Sequence, residues 1–137
     1  MNNDDIELHS WSRPLNAAAD SGHLEVVKAL LEEEAEFTIV NKAGQTPLYS
    51  ATPVGQAEIV KLLLEKGADF TVVNENSWTP LNAAASNGHL EVVKLLLEKG
   101  ADFTAATKTG QTPLHSAANM GRLEVVKLLL EKDIGGS

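Results

Sequence analysis

The stretch TPLNAAASNGHLEVVKLLLEKGAD, residues 79–102, recurs in this chain four times with varying fidelity. Prolines stand at Pro14, Pro47, Pro80 and Pro113, glycines at Gly22, Gly55, Gly88 and Gly121, and glutamates at Glu25, Glu58, Glu91 and Glu124. Every interval is 33 residues. Three interlocked columns at one period mark a repeat architecture, in which units too small to bury an apolar face alone stack on their neighbours.

The local chemistry of the stretch predicts a helix pair. Thr79, like Thr46 and Thr112, is placed to accept from the open N–H groups of a first helical turn. Proline follows where its missing N–H costs nothing. Alanines such as Ala83, Ala84 and Ala85 allow close approach by a neighbouring helix, and Gly88 ends this first helix. A second helix follows, with Leu90, Val93, Leu96 and Leu97 on one face at helical spacing. Glu91 and Lys94 lie opposite, three apart, where they can pair. Gly67 and Gly100 stop the second helix in two repeats, but Glu34 and Asp133 stand there in the others, so a looser or reshaped exit is expected after those helices. Pro53 near the end of a first helix should kink or shorten its last turn. Segments such as ADFTVVNENSW, residues 68–78, suggest extended backbone closed by a turn, a finger projecting from the helix pairs.

Working outward, the repeats occupy residues 8–40, 41–73, 74–106 and 107–134, one domain in a chain of 137 residues. Residues 1–7 form an acidic lead-in, and 135–137 a linker or cloning tail. Aromatics make up only 4%, which assigns the core to Leu, Val and Ala in stacked helices. The absence of Cys excludes a disulfide framework, a Cys-based zinc site and a Cys nucleophile. A net charge of −8 without a Lys/Arg cluster argues against nucleic acid. Apolar runs of three or four residues are far too short for a membrane span. With no secretory pattern at the N-terminus and no Asn-x-Ser/Thr sequon, a cytoplasmic or nuclear setting is expected.

The layout resembles the ankyrin repeat. TPLHSAA at 112–118 joined to GRLEVVKLLLEK at 121–132, and GHLEVVKLLLEKGAD at 88–102, carry the resemblance, which spans about residues 8–132. It implies an all-α solenoid of stacked antiparallel helix pairs with short β-hairpin fingers, the fingers and first helices lining a concave face. It also implies non-catalytic binding of a protein partner, with no cofactor. The repeat wording is similar, too, to the ankyrin arrays of large fungal NOD-like receptor proteins. Three departures stand out. Thr38, Thr71 and Thr104 occupy finger positions where the family often has a hydroxylatable Asn. The family His after TPL is kept only as His115, with Asn16, Tyr49 and Asn82 elsewhere, so the Thr–His hydrogen bond is re-made or lost in three repeats. The third is Pro53.

No chemistry beyond binding is indicated. His23 and His89 share a repeat position two repeats apart, roughly 20 Å at 8–10 Å per helix layer, too far for one metal ion. They are expected to hydrogen-bond loop backbone, and His9 to be solvated. HLEVV lacks the second His of a zinc-protease helix. Glu32, Glu33 and Glu34 read as a solvated face.

Binding candidates are the positions that break the repeat. At the fingertips these are Lys42, Gln45, Asn76, Trp78 and Gln111, and around the first helices Pro53, Val54, Asn87 and Met120. Trp78, matched elsewhere by Gln45 and Gln111, is either an anchor for a partner or a ring packed on its neighbours. As an anchor it would form one apolar spot with Pro53 and Val54. Trp11 is expected to cover the open end of the first repeat. Repeat arrays need polar caps, yet the fourth repeat keeps an inner-type helix, leaving Leu123, Val126, Leu129 or Leu130 partly uncovered. That makes the alternatives to a monomeric binding module a self-associating segment of a larger receptor array, or an engineered ankyrin binder.

Overall fold

The computed structural model describes residues 12–38, 40, 41 and 44–135. The expectations for the lead-in and for His9, Trp11 and Lys42 lie outside the described residues. Eight helices are present among those residues: α1 Ser12–Ser21, α2 Leu24–Glu32, α3 Pro47–Ala51, α4 Ala57–Glu65, α5 Pro80–Asn87, α6 Leu90–Glu98, α7 Pro113–Asn119 and α8 Leu123–Gly135. They form four pairs, first helix then second. First helices pack on first helices and second on second, each against the neighbouring repeat.

The starts are set by the side chains that the sequence supplies. Thr46 Oγ1 accepts from Tyr49 N at 3.2 Å, Thr79 Oγ1 from Asn82 N at 3.0 Å and Thr112 Oγ1 from His115 N at 3.3 Å, with proline in the first turn each time. The core runs along the joints between pairs. Leu15, Leu48 and Leu81 from first helices meet Val27, Val60 and Val93 and Leu63, Leu96 and Leu129 from second helices. On α6 the buried stripe is Val92, Val93 and Leu96. Leu90 and Leu97, expected on that face, are half-buried, and Val92, not expected there, is fully buried. The opposite face carries the expected ion pairs, Glu91–Lys94 at 3.6 Å, Glu25–Lys28 at 3.6 Å and Glu124–Lys127 at 3.8 Å. Exposed pairs of this kind contribute only a few tenths of a kcal/mol.

Pro53 does shorten its helix. In a helix its N–H would have bonded the Tyr49 carbonyl; with none to give, α3 ends at Ala51. The buried Thr52 hydroxyl donates to that carbonyl instead, at 2.7 Å.

The exits correct one expectation. Glu34 does not reshape the end of α2: it takes the left-handed conformation itself, with φ +61°. Its N–H bonds Leu31 O at 3.0 Å and Ala35 N bonds Leu30 O at 3.1 Å, the same closure that Gly67 and Ala68 make on Leu64 and Leu63. The demand of the stack for Ala35 to be buried, like Ala68 and Ala101, outweighs the roughly 1 kcal/mol of left-handed strain. In the fourth repeat no exit forms at Asp133, and α8 continues through it to Gly135.

Candidate binding surface

The described parts of the fingers form tight turns, and among the described residues no β-strand forms. Each turn closes with a pair of backbone bonds: Asn41 N to Gln45 O and Gly44 N to Asn41 O, both at 2.9 Å; Asn74 N to Trp78 O at 3.1 Å and Ser77 N to Asn74 O at 3.0 Å; Thr107 N to Gln111 O and Gly110 N to Thr107 O, both at 2.9 Å. The residue that opens each turn also caps it. Asn41 Oδ1 accepts from Gln45 N at 3.0 Å, Asn74 Oδ1 from Asn76 N at 2.9 Å and Trp78 N at 3.0 Å, and Thr107 Oγ1 from Gln111 N at 3.2 Å. Gly44 and Gly110 supply the left-handed step of the outer two turns; in the middle turn, that of the third repeat, Ser77 takes it, with φ +62°. Lys108 N donates to Asn76 O at 3.1 Å and ties the third tip to the fourth.

In the second and third repeats the position after TPL bonds the finger segment that follows. Tyr49 Oη accepts from Asn74 Nδ2 at 3.2 Å, and Asn82 Nδ2 donates to Ala105 O at 3.4 Å. Burial pushes the Tyr49 hydroxyl up from its ordinary pKa. His115, in the last repeat, turns back instead and completes a capping box, Thr112 N donating to its Nδ1 at 3.2 Å. The position thus makes a contact between repeats at Tyr49, and at Asn82 a contact with the far end of its own repeat. At the base of the fingers Thr71 and Thr104 donate through hydroxyl and N–H to Asp69 and Asp102, which holds both carboxyls below the usual aspartate range.

A second row of contacts joins the turns within the helix pairs. His89 Nε2 donates to Pro53 O of the preceding repeat at 2.7 Å, which puts the ring proton on Nε2; Arg122 Nε donates to Ser86 O at 3.0 Å. The side chains lie over the turn glycines. A Cβ at Gly55 would stand 2.5 Å from His89 Nδ1, one at Gly88 2.7 Å from Arg122 Cδ, and one at Gly22 3.0 Å from Gln56 Cγ. His89 therefore bonds loop backbone as expected, and the bond is a joint between repeats. Nothing in the 33-residue columns alone singled out Arg122 or Gln56. The signal available was that residues 23, 56, 89 and 122 are all hydrogen-bond donors of long reach.

The binding candidates fall into two separate rows. Gln45, Asn76, Trp78 and Gln111 sit at the fingertips, ahead of the first helices. Pro53, Val54, Asn87 and Met120 sit at or beyond the opposite ends of those helices, at the turns toward the second helices. An eight-residue helix such as α5 separates its two ends by roughly 12 Å. The single apolar spot expected of Trp78, Pro53 and Val54 therefore does not form. Between the rows there is little accessible side chain, since every residue of α3 and residues 80–85 of α5 are buried. Trp78 is half-buried with its backbone pinned at both N and O; Val54 and Met120 are exposed, and Asn87 spends its amide on Ala83 O at 2.8 Å.

Charge is segregated in the same sense. The first helices carry only Arg13 and Asp20, while α2, α4 and α6 each carry two glutamates and one lysine, and α8 three carboxylates and two lysines. Among the described residues there is no group of three or more His, Cys, Asp or Glu placed to hold a metal ion. No helix of the described residues is long and apolar enough to cross a membrane. Open grooves among the described residues include one of about 450 Å³ beside Leu31, Ala35, Phe37 and Lys66, and one of about 240 Å³ beside Phe70, Val73, Leu81 and Ala105.

Among known families, the model described as ankyrin repeats (3 copies) matches residues 2–74 and again 68–136. Comparison with curated proteins gives no match.

Proposed function

The chain belongs to the ankyrin-repeat family, and from that premise we propose that it is a non-catalytic protein-recognition module whose concave face, framed by the fingers and the ends of the first helices, binds a partner. The observation that carries this reading is the coincidence of two patterns. Side chains that break the 33-residue repeat lie in the two rows, and the surface between them is nearly free of charge. Ser50 and Ala51 of α3 and Asn82, Ala83, Ala84 and Ala85 of α5 are buried, which leaves the contacts to the two rows. Trp78, held rigid by Asn74, is the anchor at one rim; Val54 and Met120 are apolar contacts at the other. The acidic second helices face away and keep the module soluble. A cytoplasmic or nuclear setting fits the Cys-free composition.

The test is a peptide-display selection on the immobilised chain, followed by affinity measurements on the selected peptides. Trp78→Ala is expected to weaken them by at least tenfold, the loss of a hot spot of about 1.4 kcal/mol or more. Lys94→Glu on the second-helix face is expected to leave them unchanged. Selected peptides that respond to Lys94→Glu and ignore both Trp78→Ala and Val54→Ser would sink the proposal.

A second reading is favoured by the C-terminal repeat. Leu123 and Leu130 of α8 are exposed, whereas Leu31 and Leu64, which correspond to Leu130, are buried. A segment that self-associates through this face accounts for that exposure.

A further inference from the structure

Each joint inside the array places a side chain from the N-cap of a second helix over the turn glycine of the preceding repeat. In two joints it also bonds a carbonyl there, His89 to Pro53 and Arg122 to Ser86. Second helices pack on second helices, and three residues on from the N-cap an apolar residue is buried: Ile59, Val92 and Val125 are 0, 0 and 1% exposed, whereas Val26, at the same place in the first repeat, is not buried.

Both ends of the described array hold one half of this joint. At one end His23 has φ −91° and ψ 86°, the conformation of His89 at φ −87° and ψ 83°, and it is exposed. Val26, the counterpart of Val92, is 49% exposed. At the other end Gly121, with φ +71°, has nothing within 4 Å of where its Cβ would be. The Asn119 carbonyl stands at the repeat position of Pro53 and Ser86. Leu123 and Leu130 are 60% and 43% exposed.

We infer that these halves fit each other, so that the N-terminal face of one copy seats on the C-terminal face of a second, in the register of the internal joints. The inference rests on the self-association reading above and not on the finger face. His23 of the incoming copy lies over Gly121 and donates to the Asn119 carbonyl, and Val26 packs between Leu123 and Leu130. The occupant is a second copy because the contact continues an interface that the chain already makes three times with nearly the same residues. Head-to-tail contact of this kind does not close on itself, so it builds open stacks rather than a dimer.

The experiment is sedimentation of the full chain over a concentration series, with Val26→Glu, Leu123→Glu and His23→Ala. All three positions are exposed, and thermal melts confirm that each variant folds. Wild type is expected to grow past the dimer as concentration rises, and His23→Ala to shift that growth to higher concentration. Val26→Glu and Leu123→Glu are each expected to stay monomeric alone. Their equimolar mixture should form a 1:1 complex that stops there, since one supplies an intact C-terminal face and the other an intact N-terminal face. A Val26→Glu chain that dimerises alone would overturn the head-to-tail inference and leave self-association standing. A mixture that stays monomeric also overturns it. Wild type monomeric at every concentration would remove both.

Discussion

Replacing Gly88 by alanine separates the two roles of the turn glycines. Gly88 and Gly121 have nearly the same backbone, with φ +73° and +71°. The left-handed penalty for a Cβ, about 1 kcal/mol, is therefore common to both positions. Their surroundings differ. At Gly121 the new methyl meets nothing within 4 Å, whereas at Gly88 it would stand 2.7 Å from Arg122 Cδ and 3.1 Å from Nε. The Arg122 side chain must move, giving up its 3.0 Å bond to Ser86 O and the packing of its stem across the joint. A hydrogen bond from a charged donor contributes about 1.5–3 kcal/mol when fully desolvated. Arg122 and Ser86 are only half-buried and both recover water, so about 1 kcal/mol is the loss expected. Gly121→Ala should then cost about 1 kcal/mol and Gly88→Ala about 2 kcal/mol. Urea unfolding followed by far-ultraviolet circular dichroism reads both, and the same pair is measured again in an Arg122→Ala background. There the excess at Gly88 should vanish, a coupling of about 1 kcal/mol between residues in contact. Equal costs at the two glycines, or an excess that survives without Arg122, would refute the account of the joint.

Three further outcomes follow from the strained and titrating groups. Glu34→Gly and Ser77→Gly, each replacing an exposed or half-buried residue with φ +61° or +62°, should raise stability by up to about 1 kcal/mol in the same unfolding assay. The lowered carboxyls of Asp69 and Asp102 contribute stability that is present above the ordinary aspartate value and lost as pH falls through their folded values. Acid unfolding curves should therefore flatten below about pH 4 in the Thr71→Ala, Thr104→Ala double variant. Tyr49, the single tyrosine, is raised by burial, so its contribution is present below the unfolded value and lost as pH climbs above about 10; an absorbance titration should place its ionisation higher in the folded chain than in urea.

Much of the fold was legible in the residues because its signals are local and repeated. A threonine cap, a proline in the first turn and a glycine at the end act within a few residues, and the 33-residue period multiplies them. The effect of Pro53 was readable for the same reason, since the missing N–H acts within one turn of α3. The exit at Glu34 was not: left-handed strain is a local quantity, but the burial of Ala35 that overrides it belongs to the stack. The candidate site was legible only as a set of positions. Repeat-breaking residues named Trp78, Val54 and Met120, yet nothing in their order showed that a helix holds Trp78 apart from Val54.

The sequence by itself determined the period, the helix pairs with their caps, the apolar stripes and the family. Tertiary structure alone decided how one repeat grips the next: Tyr49 on Asn74, His89 over Gly55 and Arg122 over Gly88. It also decided which apolar residues of the first and last described repeats stay exposed, Val26, Leu123 and Leu130. The reason is physical. These contacts join residues 25 to 36 apart through side-chain reach and the distance between layers, and no rule of local conformation records either.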